Sequence, residues 1–167
     1  MTDRYPYRIT SRRGDLTLIW QAGKGDALDT LAVDDRGRLL AFHDAGTLAR
    51  HCADRGWDLD GETGPDEVAS LDLEPARRWA EGPYDGPAPT GPLLEAWNFF
   101  EDLARSVSSD RPLPRQGEVH DGAYEKFFDA DAGGAGAWTD EEAAAARDLL
   151  RAGLGLWEES ACDALVL

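Results

Sequence analysis

The chain has 167 residues, of which 42% are hydrophobic and 30% charged. That is enough apolar material for one full core and too much for a disordered chain, so a single domain over residues 1–167 is expected. The 33 Asp and Glu against 17 Lys and Arg give a formal charge of −16, a sign that repels phosphate backbones and anionic lipid and attracts basic protein surfaces. The charge is uneven: residues 1–55 hold nine bases and eight acids, residues 56–167 eight bases and 25 acids. The domain therefore divides into a strand-rich part, 1–43, and a helix-rich acidic part, 44–167.

The first forty residues read as strands. Leu16, Leu18 and Trp20 alternate with Thr17, Ile19 and Gln21, and residues 31–33 are joined to 38–42 by Asp34-Asp35-Arg36-Gly37. Asp opens such turns and Gly accepts the positive φ that closes them, so a hairpin in an antiparallel sheet is predicted. A helix follows over 45–55, with Leu48 and Cys52 on one stripe and Gly56 as its C-terminal stop. Trp57-Asp58-Leu59 is extended, residues 60–66 form an acidic turn-rich loop, and 68–73 are a short apolar patch. A brief helix over 74–81 carries Ala76 and Trp79 or Ala80 inward and stops at Gly82-Pro83.

Thr90 or Gly91 is expected to cap the next helix, with Pro92 in its first turn. Leu93, Trp97, Phe100, Leu103 and Val107 recur at helical spacing, which marks a buried stripe. Phe99 falls off that stripe onto a second surface, and Glu101 and Asp102 face away from the packing. A short aromatic helix is expected at 124–128 and a flexible break at 133–136. Thr139 with Glu142 forms a capping box for a last helix running to about residue 160, burying Ala146, Leu149 or Leu150, Leu154 and Trp157. Strands followed mostly by helices define an α+β fold, a small N-terminal antiparallel sheet packed against several helices.

No catalytic or metal constellation stands out. His43, His51 and His120 form no close ligand set, no strained GxSxG elbow is present, and Lys24 lacks the phosphate-cradling loop. The segment from Asp129 to Asp140 approaches a calcium loop but puts Gly133 at its fifth position and a short Asp at its last. Cys52 and Cys162 match no redox or metal spacing and are expected as reduced core residues. No metal and no cofactor is therefore expected. No apolar run reaches ~18 residues and the first ten residues have no signal-peptide core, so a cytoplasmic protein with no membrane association is expected.

What remains is carboxylates without catalytic partners. One cluster is Asp58, Asp60, Glu62, Asp66 and Glu67; a second is Asp121, Glu125, Asp129 and Asp131. Asp140, Glu141 and Glu142 form a third, which the helix dipole explains. The first two are not needed for folding, and nearby aromatic residues can anchor an interface whose charges govern encounter. They are the candidate partner-binding residues.

Phe42-His43-Asp44, Leu48 to Cys52, Trp57-Asp58-Leu59, Leu71-Asp72-Leu73 with Trp79, and above all Leu93-Leu94-Glu95-Ala96-Trp97-Asn98-Phe99-Phe100-Glu101-Asp102-Leu103-Ala104 form a pattern over residues 39–107. It resembles bacterial immunity proteins of contact-dependent-inhibition and related polymorphic toxin systems. The resemblance implies a non-enzymatic cytosolic antidote that binds a cognate toxin domain, often a nuclease, whose basic surface an acidic inhibitor matches. Asn98 is then assigned to a buried hydrogen bond that orients its neighbours. The alternatives are a regulatory module for another basic partner and a small hydrolase whose carboxylates meet only in the fold. A pocket holding carboxylates of separated pKa favours the hydrolase, a flat or convex acidic face the binder.

Overall fold

The computed structural model of the chain describes residues 3–59, 68–129, 131 and 133–167. Strands β1 (Arg4–Ser11) and β2 (Gly14–Gln21) form an antiparallel hairpin in register from Arg4 opposite Gln21 to Ser11 opposite Gly14. Strands β3 (Thr30–Leu31) and β4 (Leu40–Phe42) both pair antiparallel with β2. Between them lies the expected turn. Asp34 donates its N–H to Arg38 O at 2.8 Å, and its carboxylate accepts from the N–H groups of Arg36 and Arg38 at 2.9 Å each. Gly37 sits at φ +77°, and a Cβ there would also collide with Ser108, whose N–H bonds to Gly37 O.

Two further strands run parallel to their neighbours and make the sheet mixed. β5 (Ala69–Asp72) lies beside β1, and β6 (Leu165–Val166), at the far end of the chain, lies beside β4. The order is β5-β1-β2-β4-β6, with β3 beside β2. The antiparallel core is thus N-terminal, as the sequence suggests, and the edges come from distant segments.

Side chains alternate across this sheet, and helices cover both faces. Ile19, Ala32, Leu40 and Phe42 point to one face, where they pack with Leu48 and Cys52 of α1 (Ala45–Asp54). Asp44 caps that helix through Thr47 N–H at 2.7 Å, and Gly56 follows it at φ +69°. Ile9, Leu18, Leu31, Leu39 and Ala41 point to the other face, into the larger core. There α2 (Glu74–Glu81), α3 (Thr90–Ser106) and α5 (Asp140–Asp163) pack, with α4 (Glu118–Lys126) outside them against α3 and α5.

Helix α3 buries Leu93, Trp97, Phe100 and Leu103 as its period requires, and Phe99 as well. Phe99 reaches its second surface by lying between Tyr7 of β1 and Trp157 of α5, with ring centroids 6.1 and 5.6 Å away. Phe100 faces Gly153, where a Cβ would stand 2.2 Å from the ring, so the two helices approach at a residue with no side chain. In α5, Leu156 is buried and Leu154 only partly so, a one-step rotation from the expected stripe. Thr139 and Glu142 make both bonds of the capping box, at 3.1 and 2.9 Å.

Three other expectations change. Thr90 does not cap α3; its hydroxyl accepts from Ala135 N–H at 3.0 Å and holds the 3₁₀ turn Gly134–Ala137. The aromatic helix begins six residues earlier than expected, at Glu118, leaving Phe127 and Phe128 in the turn beyond it. Cys52 is buried but Cys162 is exposed near the end of α5, and both thiols are free.

Candidate functional site

A concavity of about 840 Å³ opens on the α3 side of the sheet. Its floor follows from strand alternation: Tyr7 and Leu18 are paired in register, as are Trp20 and Leu31, so Tyr7, Trp20 and Leu31 share a face. Phe99 closes the floor from α3, and Leu28, in the loop between β2 and β3, stands over one side with 64% of its surface exposed.

The walls come from two helices and that loop. The polar face of α3 supplies Glu95, Asn98, Glu101, Asp102 and Arg105, α4 supplies Asp121, Tyr124 and Glu125, and the loop supplies Asp29. Residues 95, 98, 102 and 105 repeat at three or four, so they form one stripe on the side of α3 away from Trp97 and Phe100. Among the described residues, six carboxylates therefore surround the groove, with Arg105 the single base in its lining.

Each wall is fixed to the core. Trp97, wholly buried, meets the rings of His120, Tyr124 and Phe127 with centroids 6.3, 5.7 and 5.7 Å away, which clamps α4 onto α3. Tyr124 donates its hydroxyl hydrogen to Asn98 Oδ1 at 2.7 Å. Asn98 thus makes the expected inter-element bond, but in an exposed position at the groove rather than in the interior. At the other end of α3, Ser106 Oγ accepts from Leu31 N–H at 2.8 Å, and Arg105 donates to Asp29 O at 3.2 Å. Lys126 pairs with Glu142 and donates to Ala137 O, which ties the end of α4 to the start of α5.

The carboxylates perturb one another. Asp102, whose side chain is 19% exposed, pairs with Arg105. Burial nonetheless pushes its pKa up to about 6, with Asp29 and Glu101 adding to the rise and Arg105 opposing it. The desolvation of a half-buried carboxylate here outweighs its one cation. Tyr7 is pushed up to about 12 by burial and by Glu95 and Asp102. Tyr124 rises for the same reasons, burial first and then Glu101, against the bond to Asn98. Among the described residues, Asp102 is alone of the six carboxylates in having an ion-pair partner.

The sequence candidates are dispersed. Asp121 and Glu125 line the groove, one helical turn apart. Asp129 and Asp131 are exposed past the end of α4 and do not line it. Asp58 is exposed on the opposite side of the sheet, between Trp57 and Leu59, which pack against the α1 core. Asp60, Glu62, Asp66 and Glu67 lie outside the described residues. The two clusters therefore do not join into one surface through the positions that are described. Glu101 and Asp102 are read from the sequence as facing away from the packing, whereas Glu95, Asp29 and Tyr7 carry no local signal as site residues and Trp20 is read only as part of a strand. Among the described residues no three His, Cys, Asp or Glu side chains are grouped to hold a metal ion, and no helix is long and apolar enough to cross a membrane.

The fold and the groove define an α+β protein with an acidic, aromatic-floored cleft. No protein-family model matches the chain, nor does any curated protein or solved structure.

Proposed function

We propose that this protein is a non-catalytic immunity protein of the cytoplasm, which binds a cognate toxin domain through the acidic groove and neutralises it. The observation that carries this reading is the groove's composition: six carboxylates on its walls, one guanidinium among them, and aromatic rings beneath. A nuclease must present a basic surface to hold phosphate, and a groove of opposite sign competes with that substrate for the same charges. Complementary fields of this strength raise association from ~10⁵–10⁶ M⁻¹s⁻¹ towards 10⁸ M⁻¹s⁻¹ at low salt. The helix that carries the resemblance to immunity proteins is also the helix that builds the groove, with Trp97 holding the core and Glu95, Glu101 and Asp102 on the wall.

Expressing each neighbouring open reading frame with and without this protein tests the proposal. One neighbour should arrest growth only in its absence and co-purify with it in a salt-sensitive complex. A set of harmless neighbours, with some other basic protein co-purifying, would move the function to a regulatory binding module.

A carboxylate-based hydrolase is the second reading, favoured by the concavity of the site and by the raised pKa of Asp102. Two features speak for the binder. Asp102 is held by Arg105 instead of being presented as an open proton donor, and the remaining carboxylates are distributed around the rim. Asp102→Asn separates the readings: a binder keeps most of its protection with one charge of six removed, whereas a hydrolase working through Asp102 loses its activity.

A further inference from the structure

Elsewhere on the described surface, several carboxylates are paired with bases, while others such as Asp35, Asp54 and Asp148 stand singly. Glu74 and Glu81 bind Arg77, Asp34 binds Arg38, Glu158 binds Arg13 and Glu159 binds Arg111. Around the groove, Glu95, Glu101, Asp121 and Glu125 have no such partner among the described residues. Like charges held together without counter-charges oppose folding, and a bound cation relieves them.

The floor adds a second requirement. Tyr7 and Trp20, partly exposed above the buried Leu31 and Phe99, offer an aromatic surface, and the two most exposed large apolar side chains among the described residues stand close by. One is Leu28 on the loop wall; the other is Phe128, 65% exposed, whose ring lies 5.5 Å from that of Tyr124. A bare cation would leave these surfaces in water, and an apolar ligand would leave the carboxylates unpaired. The groove also already holds one guanidinium: Arg105 bonds the Asp102 carboxylate and the Asp29 carbonyl from within the lining.

The length of the acidic wall narrows the occupant. From Glu95 to Asp102 is seven residues of helix, about 10 Å at 1.5 Å per residue. That matches roughly three residues of extended chain at about 3.3 Å each. In an extended segment alternate side chains point to opposite sides, so apolar residues can face the floor while the residues between them reach the walls.

We infer that the groove receives a short extended segment of a partner protein in which arginines alternate with large apolar residues, the apolar side chains on Tyr7, Trp20 and Leu28 and the guanidiniums on Glu101 and Glu125. This rests on the reading of the protein as a binder and specifies what it binds. Arginine fits because its planar fork pairs with carboxylates and stacks on aromatic rings.

The test uses the full-length protein and an acetylated, amidated hexapeptide of alternating Arg and Leu, with an Arg–Ser hexapeptide and spermidine as comparisons. Binding is followed by calorimetry and by the amide and indole NMR signals of Trp20 and Leu28. The Arg–Leu peptide should bind one to one, shift those signals, and bind at least tenfold more tightly than Arg–Ser or spermidine. Glu101→Gln with Glu125→Gln should weaken it at least tenfold. Leu28→Ser, on an exposed loop where folding is not at stake, should weaken the Arg–Leu peptide and leave Arg–Ser unchanged. Equal binding by spermidine would replace the peptide groove with a simple cation site. No binding, or binding unaffected by these substitutions, would overturn the inference. Growth protection is a separate readout: protection without peptide binding removes this occupant and leaves the immunity reading, and peptide binding without any toxic neighbour does the reverse.

Discussion

On the α1 side of the sheet, Trp57 lies under two arginines of its own chain, with the Arg4 and Arg55 guanidiniums 4.5 and 5.7 Å from its ring. On the α3 side, Tyr7, Trp20 and Tyr124 are edged by carboxylates, and the one guanidinium in the lining is paired with Asp102. Both faces derive from the same alternation along β1 and β2, and both expose aromatic surface at the margin of a buried core. The difference lies in what closes that margin. The first face is completed by cations already present in the basic N-terminal third; the second is left with an excess of one charge and an open concavity. An excess of one charge of that kind costs stability.

The largest effects should come from breaking each face at its core. Leu48→Ala in α1 and Trp97→Ala in α3 remove fully buried side chains, and each should lower unfolding free energy by roughly 3–5 kcal/mol in urea denaturation. Hydrogen exchange should then tell them apart. Only Trp97→Ala should speed exchange across residues 118–126, because Trp97 alone of the two holds α4 in place.

A smaller effect belongs to Asp102. Its pKa of about 6 in the folded protein exceeds the ordinary value of 3.8, so between these pH values the native state binds more protons than the unfolded chain. Stability contributed by the protonated form is present at low pH and is lost as pH rises from about 4 through about 6. Asp102→Asn lacks this titration and should gain on the wild type by about 1 kcal/mol across that window, after discounting for partial solvent exposure and the neighbouring Arg105. Parallel pH dependence of thermal unfolding in the two proteins would show that Asp102 titrates normally.

The smallest effect has the opposite sign from most substitutions. Glu101→Gln with Glu125→Gln should stabilise the free protein by roughly 0.5 kcal/mol, because neutralising unpaired like charges relieves repulsion. No matching gain is expected from Asp58→Asn on the other face, where a lone exposed carboxylate has no crowded neighbours in the described structure. Chemical denaturation with replicate midpoints resolves the difference.

Much of the architecture was readable in local patterns, and the misses share a cause. The Asp34 to Gly37 turn, the Thr139–Glu142 capping box and the apolar stripe of α3 depend on residues within a turn or two of one another, so their chemistry shows in the chain. β5 and β6 are short strands recruited to sheet edges by segments far away, and nothing in Ala69–Asp72 or Leu165–Val166 announces a parallel partner. Cys162 was expected inside by residue type, yet the last turns of α5 present it to solvent. The groove was half visible: Asp121 and Glu125 stood out within a cluster, and Glu101 and Asp102 as acids facing away from the packing. Asp29, Tyr7 and Trp20 join them only through sheet register, and Asp58 leaves them because it sits across the sheet.

The central claim is that the acidic groove, and not the acidic character as a whole, recognises the partner. It is tested most directly by measuring affinity for the toxic neighbour that the proposed function calls for, with two variants: Glu101→Gln/Glu125→Gln on the groove, and Asp58→Asn on the opposite face. The account predicts that the groove variant binds at least about tenfold more weakly and protects cells poorly, while Asp58→Asn matches the wild type. Full affinity in the groove variant, with the loss at Asp58 instead, would contradict it.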